Sequence, residues 1–139
     1  MLLDANILVK LVTEEEGSKQ AEDQIQKAFT SHIQLSTLDI ALSEALNAIW
    51  KHHILHKDIT YESFLKATNN LLALYDLLRI INSRIYVEEA VRISVSNMIN
   101  FYDSLYIASA KLTGDTFFTA DRRLHKDAQH LAKILLLMF

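Results

Sequence analysis

Residues 1–11 read MLLDANILVKL, and this stretch decides the fold class. Leu2 and Leu3 are apolar enough to begin a buried strand, while Ile7, Leu8, Leu11 and Val12 recur at helical spacing. A strand that passes straight into a helix is the opening of an α/β unit. Asp4 stands at the junction, where its carboxylate either caps the helix or forms one wall of an acidic site. Position 4 alone does not decide between these.

The alternation continues along the chain. Strands are expected at 1–4, at HIQLS (32–36), at RIIN (79–82), at 116–119 and in the terminal KILLLMF. Between them the spacing predicts helices near 6–12, 18–29 and 38–53. Leu38, Leu42, Leu46 and Ile49 mark one face of the third. Thr60 is placed to cap a helix carrying Phe64, Leu65, Leu71, Leu72, Tyr75 and Leu78. Val87, Ala90, Val91, Val95 and Met98 mark another, residues 102–112 a further one with Gly114 as its C′ residue, and DRRLHKDAQH a last short one. Uniformly apolar strands alternating with helices predict a three-layer α/β sandwich around a mostly parallel sheet of about five short strands. One domain over 1–139 is expected, because the chain has no linker, repeat or low-complexity tract.

Composition narrows the function classes. A chain that is 50% hydrophobic and 22% charged is globular. No apolar run reaches the roughly 18 residues of a membrane span. Asp4 and Lys10 interrupt the start too early for a signal peptide, so a cytoplasmic location is expected. The absence of cysteine excludes disulfides, thiolate zinc sites and cysteine nucleophiles. A net charge of −3 argues against nucleic-acid binding through overall charge, and leaves room for a local basic rim.

Four carboxylates stand out once placed on this scheme. Asp4 and Asp121 each follow a strand, and ligands of open parallel sheets bind beyond the carboxyl ends of strands. Glu44 lies on an otherwise apolar helix, in LSEALNAIW, and Asp103 near the start of another, in FYDSLYIASAKL. Each also has an ordinary explanation: capping for Asp4 and Asp121, a helix edge for Glu44, and the helix macrodipole for Asp103.

Together, MLLDANILVKL, LSEALNAIWK and YDSLYIASAKLTGDTFFTADRRL resemble the PIN domain family, especially its small single-domain VapC-type toxins. The resemblance runs over essentially the whole chain. It places the family's four acidic positions on Asp4, Glu44, Asp103 and Asp121, a polar position on Asn6 and a hydroxyl on Thr119. The proline that often precedes the glutamate helix is absent. Four converging carboxylates cannot all stay ionised without a cation, and an oxygen-only donor set suits Mg²⁺ or Mn²⁺. Such an ion activates water and stabilises charge on a phosphodiester under attack. The resemblance narrows this to an endoribonuclease, and implies a homodimer and a VapB-type antitoxin partner.

On this reading Asp4, Asp103 and Asp121 bind the metal directly or through water. Glu44 binds a second ion or helps to activate water, and the sequence does not separate these roles. Asn6 and Thr119 orient the carboxylates. Lys10, Arg122 and Arg123 are candidate phosphate contacts, or solvated surface charges. His52 and His56 have a zinc-compatible spacing but no HExxH context, and read as a solvated helix end. A phosphoacceptor receiver domain fits poorly, since one acid follows the first strand and no lysine follows the last. The alternative is a catalytically silent PIN-fold binding module whose acidic pocket accepts a partner's basic residue.

Overall fold

The computed structural model describes residues 1–139. The chain runs β1 (Leu2–Leu3), α1 (Ala5–Val12), α2 (Ser18–Thr30), β2 (Ser36–Leu38) and α3 (Ala41–Lys51), which continues into a π-helical turn (His52–His56). It then forms α4 (Tyr61–Leu77), β3 (Arg79–Ile81), a 3₁₀ turn (Ser83–Tyr86), α5 (Val87–Asn97), α6 (Phe101–Thr113), β4 (Phe117–Thr119), α7 (Arg122–Ala128) and β5 (Ile134–Leu136). No helix is long and apolar enough to cross a membrane.

The five strands form one sheet in the order β3-β2-β1-β4-β5, with every pairing parallel. From β1 the chain steps outward through β2 to β3, then crosses back to β4 and β5. Right-handed crossovers therefore place α1–α4 on one face and α5–α7 on the other, giving three layers. Accordingly α1 packs on α2, α3 and α4, while α5 packs on α6. The strand order reverses between β1 and β4, so the crevice beyond their carboxyl ends is the topological switch point. Leu2, Leu3, Phe117 and Phe118 are fully buried there and anchor the core.

The second strand lies at 36–38, not at the expected 32–36. His32 takes a left-handed conformation (φ 58°) and the Ile33 amide returns to the Ala28 carbonyl at 2.9 Å, so residues 32–33 close α2. Pairing begins where the Ser36 amide bonds the Met1 carbonyl at 3.0 Å, and the Thr37 hydroxyl donates to the Leu3 carbonyl at 2.7 Å. Two helical faces also differ from expectation. In α3 the fully buried residues are Ala41, Ala45 and Ile49, and in α5 they are Ala90 and Ile93, while Val91 and Val95 are exposed. Alanine lets these helices approach the layer beneath closely, and the larger residues fall to the flanks.

Two caps fall where expected. The Thr60 hydroxyl accepts from the Ser63 amide at 3.1 Å at the head of α4. Gly114 ends α6 with φ 74°, which a glycine adopts without strain.

Candidate active site

Asp4 ends β1 and stands at the N-cap of α1, yet its side chain makes no capping bond. It is buried and turned instead toward β4. Its Oδ2 accepts from the Thr119 hydroxyl at 2.5 Å and from Asn6 Nδ2 at 2.8 Å. Parallel pairing of Leu3 with Phe118 brings the next residues, Asp4 and Thr119, side by side. Asn6 also donates to Thr119 Oγ1 at 3.1 Å, and its Oδ1 accepts from the Ala120 amide at 3.0 Å. Thr119 Oγ1 accepts in turn from the Asp121 amide at 3.1 Å. The three polar side chains thus lock the exits of the two central strands together.

Asp121 behaves as the cap that Asp4 is not. Its Oδ1 accepts from the Leu124 amide at 2.8 Å at the head of α7, and it is exposed. Across the crevice, Asp103 sits in the first turn of α6. The capping residue Asn100 accepts from the Asp103 amide at 3.0 Å, and its Nδ2 donates to the Asp103 carboxylate. Asp103 and Asp121 line one pocket of about 270 Å³. Glu44 projects from α3, and its Oε1 accepts from the Tyr106 hydroxyl at 3.0 Å.

Asn100 and Tyr106 were not singled out from the sequence. An asparagine three residues before an acid at the head of an apolar helix is a capping signal and could have found Asn100. Tyr106 carries no such signal: within YDSLYIASA it reads as core, and it is indeed fully buried.

The electrostatics connect the acids. Burial, aided by the charges of Asp103 and Glu44 against the bond from Thr119, pushes the Asp4 carboxyl up to about 7. Burial also raises Glu44, as does the Asp103 charge, and burial with the Asp121 charge raises Asp103. Burial, together with Asp4 and Glu44, raises the Tyr106 hydroxyl, which therefore stays a donor.

The basic candidates are distributed differently. Lys10 Nζ lies 2.9 Å from Glu15 Oε1 and 2.6 Å from the Glu16 carbonyl, over the Phe139 ring at 4.7 Å. Arg122 donates to the Phe139 carbonyl at 3.2 Å. Arg123 is exposed at the rim of the Asp103–Asp121 pocket, 3.7 Å from Asp127. His52 bonds Asp58 at 2.9 Å, and His56 lies beside it with ring centroids 5.5 Å apart.

The candidate donor set is oxygen-only, and burial together with mutual repulsion holds Asp4, Glu44 and Asp103 above their ordinary range, which is what a hard divalent cation relieves. No three acidic or histidine side chains are drawn close enough to ligate one ion directly.

The sequence pattern of the PIN domain matches residues 1–129. The chain belongs to the PIN domain family. This PIN domain is 30% identical over 130 residues to Ribonuclease VapC3 of Pyrobaculum aerophilum, covering 89% of this chain and 91% of that one. Its fold is similar to the crystal structure of PAE2754 from Pyrobaculum aerophilum, with a TM-score of 0.72 and 22% identity, over 96% of this chain and 81% of the other. It is also similar to a toxin-antitoxin complex from Klebsiella pneumoniae, with a TM-score of 0.67 and 18% identity, over 99% and 97% of the two chains.

Proposed function

We propose that this PIN domain, taken as one nuclease domain over 1–139, is an Mg²⁺- or Mn²⁺-dependent endoribonuclease and the toxin of a toxin–antitoxin pair. The observation that carries the proposal is Asp4. A buried carboxylate at a helix start that declines the cap, is clamped by Thr119 and Asn6, and is crowded by Asp103 and Glu44 has a use other than structure. The likeness to a protein named a ribonuclease supports the substrate class. The likeness to a toxin-antitoxin complex supports an antitoxin partner, which the likeness to a VapC protein makes one of VapB type, and a toxin that acts on cellular RNA would work in the cytoplasm.

Asp4, Asp103 and Asp121 would hold the cation, directly or through water. When bound, it supplies Lewis-acid stabilisation of the phosphodiester and an activated water. Thr119 and Asn6 fix the direction of the Asp4 oxygens. Glu44, raised by burial and with Tyr106 holding Oε1, keeps Oε2 to accept a proton from the attacking water. Arg123 is the rim cation placed to draw in a phosphate, since Lys10 and Arg122 already hold the loop after α1 and the end of the chain. Exposed Leu65, Leu72 and Leu77 of α4, with Val91 and Val95 of α5, offer apolar surface for an antitoxin or a second copy to cover.

The test is a mixed cellular RNA pool incubated with Mg²⁺ or Mn²⁺ against a chelator, with Asp103→Asn as control. Discrete metal-dependent fragments that vanish in the variant establish the nuclease. A second reading is favoured by the lack of three acids close enough to ligate one ion directly. In it the chain is a catalytically silent binding module whose pocket takes a partner's arginine or lysine, and RNA stays intact with both proteins.

A further inference from the structure

The turn between α5 and α6 contains an oddity. Met98 holds a left-handed backbone (φ 55°) and is 92% exposed. Helix ends of this kind usually carry glycine or asparagine, which adopt the conformation at little or no steric cost. The chain has two other non-glycine residues in that region, His32 and Lys57. Both are polar, whereas Met98 puts a large apolar side chain into water on a strained backbone. Neither of the others lines the pocket that holds Asp103 and Asp121, and Met98 does.

That pocket is chemically mixed. Ile99 and Leu124 are nearly fully buried and give it a fixed apolar wall. Arg123 and Asp127 stand at its rim. Asn100 directs its amide to Asp103, while the Asp127 carboxylate, 3.7 Å from Arg123, makes no hydrogen bond within the chain and is open to a ligand.

We propose that Met98, with Ile99 and Leu124, forms a subsite for the nucleobase next to the scissile phosphate, with Arg123 on the phosphate and Asp127 accepting from an exocyclic amino group of the base. The inference rests on the RNA reading above and adds a preference to it. A polarisable thioether suits the face of a base, and a carboxylate favours adenine and cytosine, which carry an amino group, over uracil, which lacks one. The strain at Met98 is the kind retained where a side chain is needed at one place.

The experiment measures fluorescence anisotropy of labelled A6, C6 and U6 oligoribonucleotides with Asp103→Asn protein in Mg²⁺, which keeps the RNA whole. A6 and C6 are expected to bind at least fivefold tighter than U6. Adding Met98→Gly weakens both at least fivefold and levels the three, while Met98→Leu keeps most of the preference. Met98→Gly suits the left-handed backbone and is expected to melt no lower than its parent, so a binding loss is not a folding loss. Equal affinities for the three oligomers, or a preference that survives Met98→Gly, overturn the subsite. The nuclease reading fails separately, if wild-type protein leaves the RNA pool intact; base-dependent binding that requires Met98 would then still stand.

Discussion

Asp4 and Asp121 show how far a single residue can be read. Both precede a helix, and both are aspartates, so the sequence offers capping for each. The structure separates them: Asp121 caps α7, and Asp4 leaves α1 uncapped to face Thr119. What decides is a hydroxyl on another strand, which no local pattern contains. The consequence for pH follows from the raised carboxyl. Folded Asp4 holds its proton up to about 7 against an ordinary 3.8, so between these values the folded state binds more protons than the unfolded one. Stability of the metal-free protein is therefore highest below about pH 4 as far as Asp4 is concerned, and falls, by an amount on the order of 4 kcal/mol, as pH rises to about 7. Glu44 and Asp103 act in the same direction. Denaturant titrations across pH 4 to 8 should show this decline in chelator, and Asp4→Asn should flatten much of it. Glu44→Gln is expected to keep the Tyr106 bond and the melting temperature while abolishing RNA cleavage, read by gel and by thermal melting side by side.

Among the elements, α6 was the most legible and β2 the least. The apolar run, the aspartate in the first turn and the closing glycine mark α6 in the sequence, and the structure adds Asn100 as its cap. Asn100→Ala removes the cap and the donor to Asp103 together. A loss of about 1 kcal/mol of stability is expected, with a larger proportional loss of cleavage because the Asp103 carboxylate loses its anchor. Calorimetry and RNA cleavage on one preparation separate the two effects. Strand β2 was misplaced because its residues, Ser36, Thr37 and Leu38, are mostly polar, and its pairing is fixed by Met1 and Leu3 instead of by its own pattern. The faces of α3 and α5 were misread for a related reason. A periodicity count weights the large residues, whereas close packing on the sheet selected the alanines.

For the whole molecule, the three-layer plan was legible because strand and helix alternate without interruption, and that alternation leaves few topologies. The adjacency of β1 and β4 comes from the strand order, which no spacing along the chain encodes. That Asp4 feels the charges of Asp103 and Glu44, while no three acids are close enough to ligate one ion directly, was not legible, since distances across a crevice depend on packing and not on spacing along the chain. Phe118, fully buried on β4 behind this crevice, ties the core to the site. Phe118→Ala is expected to cost roughly 3–5 kcal/mol in a denaturant titration. Mg²⁺ or Mn²⁺ is expected to raise the melting temperature more at pH 8 than at pH 5, because the cation competes with protons for the same carboxylates. Equal effects at the two pH values would count against a carboxylate site.

The bond between Asp4 and Thr119 spans 115 residues of sequence. Translation makes the first partner long before the second. The middle strand of the sheet must therefore wait, unpaired on one side, until β4 has been made. Asp4 is therefore without its clamp in every nascent chain that stops short of β4. A message cut short before that point yields a chain whose β1 keeps one edge open, a template for pairing with other polypeptides.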